Sequence, residues 1–166
     1  MEARSMRLHK REVRDAEALR SIVETCKVVR IGYMDEAGMF VVPMNFGYEW
    51  NAQPGAEPGL TLWLHCAAEG RKAEAWAENP QVAIEMDCED GLITGSFACA
   101  YSFAFRSIMG TGVMHAVTDP RQKREGLTRI MEHVAPGSPI SYSDQSIERV
   151  AIWRLEVTEF TGKQRA

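Results

Sequence analysis

The 166-residue sequence contains few cysteines, and none of them forms a CxxC pair. The four are Cys26, Cys66, Cys88 and Cys99, and only Cys66 has an adjacent histidine, His65. Structural zinc sites need paired ligands at short, regular spacing. We therefore expect no metal site, and we interpret the cysteines as reduced, mostly buried thiols of a cytoplasmic protein.

Long apolar runs and an excess of positive charge are also missing. No window approaches the roughly 18 apolar residues of a membrane span, and the N-terminus has no apolar signal-peptide core. Nineteen Lys and Arg against 23 Asp and Glu give a net charge of −4. Without an overall positive field we expect neither nucleic acid nor a membrane as partner, but a small molecule or a protein.

One basic run does occur near the N-terminus, formed by Arg4, Arg7, Lys10, Arg11 and Arg14. Such a run is open to interpretation as a nucleic-acid arm, but no aromatic residues are interleaved with it. A flexible leader over residues 1–13 is the preferred interpretation. The rest of the chain shows no repeat and no second domain, and its length fits a single domain.

Six segments have the β-branched and aromatic composition of strands, separated by short helical segments without regular βαβ repetition. Asp15 is the expected N-cap of a helix reaching residue 25, and Asp119 with Pro120 begins a helix ending near residue 134. Gly110 and Gly112 mark a bulge or bend. The fold class predicted is mainly β, a six-stranded antiparallel barrel with peripheral helices. The six segments span residues 27–34, 39–50, 60–66, 81–88, 98–118 and 149–162.

The segment HCAAEGRKAEAW places two cations, Arg71 and Lys72, directly after Gly70 at the start of a predicted helix. Cations at a helix N-terminus oppose the helix dipole. They become favourable when an anion such as phosphate binds the free N–H groups there. The alternative, two solvated surface cations, stays open on the spacing alone.

The segment VVPMNFGY carries Pro43 in the middle of an apolar strand. Proline cannot donate to a strand ladder, so Pro43 marks either an edge strand or a point where the backbone faces a flat ligand. Asn45 offers a donor and an acceptor to a polar heterocycle. Neither segment identifies a cofactor by itself.

Four motifs occur in one order: VVPMNFGYEW, LHCAAEGRKAEAWAENPQVAIEM, YSFAFRSIMGTGV and VTEFTGKQ. In this order they resemble the flavin-binding split-barrel proteins related to pyridoxamine 5′-phosphate oxidase, and most closely the branch linked to 5-nitroimidazole resistance. The resemblance runs from about residue 6 to residue 164. It implies a homodimer that binds FMN at the subunit interface.

The resemblance also assigns residues to the cofactor. It implies that the isoalloxazine ring is lined, largely through backbone atoms, by Val42, Pro43, Met44 and Asn45. The ribityl chain and phosphate would be flanked by His65, Cys66 and Ala67. The phosphate-binding Arg-Lys pair of the oxidases is matched by Gly70, Arg71 and Lys72, and the position where the oxidases place a glutamine near the flavin is matched by Ser107.

The chain also departs from the family pattern. It ends in EFTGKQRA, without the Trp and Arg that oxidases use for substrate, so oxidation of pyridoxamine phosphate is not expected. Arg71 stands where 5-nitroimidazole-resistance proteins often have histidine. With no nucleophile elbow or triad in the sequence, the resemblance implies an FMN-dependent oxidoreductase that takes electrons from NAD(P)H and passes them to a small organic acceptor, with nitroaromatic compounds as candidates. The alternatives are a non-catalytic flavin carrier or sensor, and a split barrel that binds haem or a deazaflavin.

Overall fold

The computed structural model describes residues 6–166, so Arg4 of the basic run lies outside the described residues. After a short 3₁₀ turn at His9–Arg11, the chain forms eight strands and four helices in this part. In chain order these are β1 Glu12–Val13, α1 Ala16–Thr25, β2 Val29–Asp35, β3 Gly38–Met44, β4 Gly47–Asn51, β5 Gly59–Cys66, α2 Arg71–Glu78, β6 Gln81–Ile93, β7 Ser102–Val117, α3 Pro120–Val134, α4 Asp144–Arg149 and β8 Ala151–Arg165.

All eight strands belong to one antiparallel sheet in the order β3-β2-β6-β7-β8-β5-β4, with β1 added alongside β8. The two end strands of this order, β3 and β4, are consecutive in the chain and separated only by Asn45 and Phe46. Three Cα steps reach at most about 11 Å. The sheet must therefore curl until its edges approach, which closes a barrel through the chain itself.

The mainly β class with peripheral helices is confirmed, but the strand count of six is corrected to eight. The segment 39–50, expected as one strand, is divided at Asn45 and Phe46 where the chain crosses from one sheet edge to the other. The short strand β1 accounts for the other addition. Its residues Glu12 and Val13 pair with Lys163 and Gly162, so the predicted leader already belongs to the sheet at its last two residues.

Local chemistry sets the helix boundaries as expected. The Asp15 carboxylate accepts a hydrogen bond from the Ala18 N–H, and Asp119 accepts from the N–H groups of Arg121 and Gln122. Helix α2 ends at Glu78, directly before Asn79 and Pro80. No helix within residues 6–166 combines the length and hydropathy needed to cross a bilayer.

The main core cluster lies inside the barrel, and α1 contributes Leu19, Ile22 and Val23 to it. A second, smaller cluster comprises Trp63, Val117, Ile130 and Ile152. The predicted bulge is confirmed, because the register of β7 against β8 shifts between Thr111 and Gly112. Strand β6 is longer than the expected segment 81–88 and passes through a second register shift near Gly91.

Candidate functional site

Helix α2 begins where the chain leaves strand β5, and Gly70 is its N-cap residue. The φ angle of Gly70 is +118°, a conformation that L side chains rarely adopt, and a Cβ there would meet nothing within 4 Å. The backbone at Gly70 is therefore open on the side where a Cβ would stand. Such a corner lets a ligand approach the main chain closely.

Arg71 is exposed, and a carboxylate holds part of its guanidinium. Its Nε–H donates to Asp35 Oδ2 at 2.6 Å and its Nη2–H donates to Oδ1 at 3.1 Å. The guanidinium carbon also lies 3.0 Å from the ring centroid of Phe40. Hydrogen bonding from Arg71 is the main cause that lowers the pKa of Asp35. Arg71 thus fastens the start of α2 to the hairpin of β2 and β3.

Lys72 is the cation that stays available. It is half-buried, and within residues 6–166 it forms no hydrogen bond or ion pair. Its charge acts on the nearby thiol of Cys66, at the end of β5. Burial raises the pKa of that thiol, and the charge of Lys72 offsets part of the rise. An ammonium group with no carboxylate partner, beside free helix N–H groups, is suited to bind an anion.

Two buried tryptophans lie beneath this corner. Trp76 of α2 and Trp153 of β8 pack edge to face with ring centroids 5.4 Å apart, and Trp76 also contacts Tyr33 at 6.1 Å. The indole N–H of Trp76 has no acceptor within the described chain, whereas Trp153 lies against the Cys66 thiol and lowers its pKa by hydrogen bonding. A buried donor without a partner costs free energy. Trp76 is therefore an unsatisfied donor in the helix that carries Lys72.

Strand β3 presents its residues to both sides of the sheet. Val42 and Met44 are half-buried and pack against the core, whereas Pro43 between them is exposed. Because β3 is an end strand of the sheet order, the interpretation of Pro43 as an edge residue is confirmed. The Asn45 side chain donates from Nδ2 to the carbonyl of Lys27 at 2.8 Å, so its oxygen is left as an acceptor.

The structure joins two of the groups assigned by the resemblance through one contact. The end of β5 carries His65, Cys66 and Ala67 toward the start of α2, where Arg71 touches Asp35 and Phe40 of the β2–β3 hairpin. Ser107 is 9% exposed in β7, opposite Asp87 and Lys163. Its assignment to the flavin stays a prediction.

Sequence reasoning missed several residues of this region. Asp35 was part of a hairpin turn and Phe40 part of an alternating strand, and nothing local paired either of them with Arg71. It also missed four exposed apolar side chains on one side of the sheet, which we call the outer apolar face: Met34 (54% exposed), Met39 (86%), Val41 (68%) and Met109 (49%). Exposed apolar clusters of this kind mark interaction sites.

The strand register joins Met34, Met39 and Val41 of the outer apolar face, whereas Met109 is opposite Glu85, which is ion-paired with Arg30. Met34 is paired with Met39 across β2 and β3, and Val41 is opposite Gly32, which is opposite Ala83 of β6. Small residues at these positions leave the surface flat. The face lies next to the exposed ring of Pro43, so the apolar surface reaches the edge of the sheet.

Comparison with known proteins gives one family match and several structural ones. The family model described as pyridoxamine 5′-phosphate oxidase matches residues 15–164, whereas no curated protein matches the chain. A candidate 5-nitroimidazole antibiotic resistance protein from Bacteroides thetaiotaomicron VPI-5482 is 32% identical, with 92% of this chain and 86% of that one covered and a TM-score of 0.77.

Two more distant structures share the fold. The flavocytochrome Anf3 from Azotobacter vinelandii is 24% identical, covers 98% of this chain and 72% of its own, and has a TM-score of 0.79. The FAD and haem binding protein from Mycobacterium smegmatis is 16% identical, with 93% and 73% covered and a TM-score of 0.77. The family match over nearly the whole chain agrees with the barrel described above: the chain belongs to the pyridoxamine 5′-phosphate oxidase family of split-barrel proteins.

Proposed function

We propose that this protein is an FMN-dependent oxidoreductase of the cytoplasm that takes electrons from NAD(P)H and passes them to a small organic acceptor, with nitroaromatic compounds as a candidate class. The observation that carries the proposal is Lys72, an unpaired cation at an open helix start where β5, α2 and the β2–β3 hairpin meet. Membership of the family supports a redox role.

The start of α2 fits a phosphate-bearing cofactor. Lys72 supplies a point charge, and Gly70 leaves space beside the main chain. The Gly70 N–H donates to Glu74 Oε1 at 3.3 Å, so the N–H groups that follow it in the first turn are the ones an anion would meet. Arg71 keeps part of its guanidinium for a phosphate while Asp35 holds the rest in place. The buried indole N–H of Trp76 has no acceptor within the described chain, which favours a polar ligand or water beside α2.

The edge strand β3 fits a flat ring. The edge of β3 that faces away from β2 has no strand partner. Backbone groups from Val42 to Asn45 are therefore free to bind a heterocycle. The bound flavin would supply the electron transfer chemistry, and the chain would bind and orient it and exclude water around it. No side chain of this region is required to act as a nucleophile.

A second copy of the chain fits the outer apolar face. Met34, Met39, Val41 and Met109 would be covered by the same face of a partner in a homodimer, since a two-fold interface is self-complementary. A flavin at the edge formed by Pro43 would then lie beside this interface. We therefore propose the homodimer as the functional form.

Equilibrium binding of FMN and of riboflavin, followed by quenching of flavin fluorescence, tests the phosphate site. We expect the Lys72→Ala variant to weaken FMN binding by about 10-fold or more, in line with a lost charge-assisted contact, and to leave riboflavin binding nearly unchanged. The matched control is Lys10→Ala, at an exposed lysine of the 3₁₀ turn. Equal losses for both ligands would overturn the phosphate assignment.

The absorption spectrum of the purified protein tests the identity of the cofactor, and steady-state turnover tests the enzymatic activity. A flavin spectrum with NAD(P)H-dependent reduction of a nitroaromatic acceptor is the expected result. A flavin spectrum without turnover would replace the enzyme with a flavin carrier. A Soret band would replace FMN with haem, whose propionates Lys72 would also attract.

A further inference from the structure

Two cysteines far apart in the sequence lie together in the fold. Cys26 follows α1 as its C-cap residue and Cys88 lies in β6, and their Sγ atoms are 3.2 Å apart. Both are free thiols, and one donates to the other. We propose that Cys26 and Cys88 form a modification site, a dithiol that a small-molecule disulfide oxidises to an intrachain disulfide bond.

The geometry favours this bond. A disulfide has a sulfur–sulfur distance of about 2.05 Å, so the two atoms need to approach by only about 1 Å. Cys26 is the C-cap residue of α1 and is followed by the two-residue connection to β2. Cys66 lies at the end of β5, and Cys99 is exposed at the tip of the β6–β7 hairpin. Those two residues therefore serve as internal comparisons.

The exposure of the two thiols decides which of them reacts first. Cys26 is 5% exposed, and burial raises the pKa of its thiol, whereas Cys88 is half-buried. Cys88 is therefore the thiol that meets an oxidant first. Arg106 is opposite Cys88 in the strand register, and Asp90 holds its guanidinium at 2.8 Å.

The reaction consists of two exchanges. The Cys88 thiolate attacks one sulfur of the small disulfide, which gives a mixed disulfide at Cys88 and releases one small thiolate. The Cys26 thiolate then attacks the Cys88 sulfur, which forms the intrachain bond and releases the second small thiolate. The two protein thiols lose two electrons and two protons, and the small disulfide becomes two thiols.

The new bond would connect three elements of the fold. It joins the end of α1 to β6, and the Cys26 carbonyl already accepts a hydrogen bond from Nε2–H of His133 in α3 at 2.7 Å. The cross-link closes a long loop, from residue 26 to residue 88, in the unfolded chain. Oxidation should therefore raise the thermal midpoint, by about 5–15 °C if the full loop-closure effect is realised.

The test uses the Cys66→Ser, Cys99→Ser double variant, in which Cys26 and Cys88 are the only cysteines. After incubation with oxidised glutathione, we expect mass spectrometry to find a protein lacking two hydrogens, with residues 26 and 88 cross-linked in one chain, and a higher thermal midpoint that reverts on reduction. Two thiols that stay free, a glutathione adduct that persists at Cys88, or a bond between two chains would each overturn the proposal.

Single replacements in the same background test the order of steps. Adding Cys26→Ser should trap the glutathione adduct on Cys88, because the resolving thiol is gone. Adding Cys88→Ser should leave the buried Cys26 unmodified on the same timescale. The reverse pattern, with the adduct on Cys26, would contradict the assignment of Cys88 as the first thiol. The thermal midpoint of each reduced variant shows that it is folded before it is compared.

Discussion

At the residue scale, His133 shows how burial sets a protonation state. The ring is 7% exposed and lies between Phe46 and Tyr48, with ring centroids 4.7 and 5.0 Å away. Burial is the largest cause that lowers its pKa, and the charge of Lys27 lowers it further, while the hydrogen bond to the Cys26 carbonyl and the charge of Glu24 act in the opposite direction. In the folded chain the ring is therefore neutral at neutral pH.

This state makes stability depend on pH. A histidine whose pKa is lower in the folded chain stabilises the fold fully above its unfolded pKa of about 6.5, and that contribution is lost as the pH falls toward the folded pKa. Each unit of difference corresponds to about 1.4 kcal/mol. We expect His133→Gln to flatten the decline of the unfolding free energy between pH 7 and about pH 5. Urea unfolding at several pH values measures this slope.

The control is His9→Gln, at an exposed histidine of the 3₁₀ turn, which should leave the slope as in the wild type. His133→Gln will also lower stability at every pH because packing changes, so the slope and not the absolute value is compared. A slope identical to that of the wild type would contradict the role given to His133.

At the scale of elements, two glycines allow helix α3 to pack closely against the barrel. A Cβ on Gly126 would lie 2.5 Å from Cε3 of Trp63, and a Cβ on Gly47 of β4 would collide with the backbone of α3 at Arg129 and Ile130. The helix and the strand therefore approach each other more closely than side chains would allow. Trp63 in turn donates from Nε1 to Glu49 Oε1 at 3.2 Å.

We expect Gly126→Ala to destabilise the protein by about 1–3 kcal/mol through overpacking. In an exposed helix the same replacement would be stabilising by about 1 kcal/mol, because alanine is the better helix former. Glu125→Ala, at the exposed neighbouring position of α3, is the matched control and should change stability little. Urea unfolding of the three proteins decides the sign. A more stable Gly126→Ala variant would show that α3 is free to move away from Trp63.

At the scale of the whole molecule, the barrel leaves an apolar surface exposed. The outer apolar face is flat, lies at the sheet edge formed by β3, and includes Val41 at 68% exposure. A lone chain would present this surface to water. A homodimer would cover it, and the edge next to Pro43 would become part of a site shared by two chains.

We expect the wild-type protein to be a dimer in solution and the Val41→Asp variant to be a folded monomer. In a dimer of the variant, the new carboxylates would be buried without a cationic partner and would repel each other across the two-fold axis. Sedimentation velocity gives the mass, and circular dichroism checks the fold. Val134→Asp, at another exposed valine on α3, is the control and should stay dimeric. A monomeric wild type would contradict the dimer.

The features of the fold that the sequence predicted are those that depend on residues adjacent in the chain. The sequence indicated the helix starts at Asp15 and Asp119, the end of α2 before Pro80 and the bulge near Gly112, because each follows from the chemistry of a few adjacent residues. Pro43 indicated an edge strand for the same reason. The family resemblance, carried by four ordered motifs, indicated the barrel.

The tertiary structure decided what depends on residues distant in the chain. The break at Asn45 and Phe46 exists because the sheet curls and its two edges must be joined. Arg71 meets Asp35, 36 positions away, and Cys26 meets Cys88, 62 positions away. No local pattern encodes such pairs. The sequence by itself therefore determined most elements and the helix boundaries, and only the packing of those elements decided that Arg71 has a carboxylate partner and that Cys26 lies against Cys88.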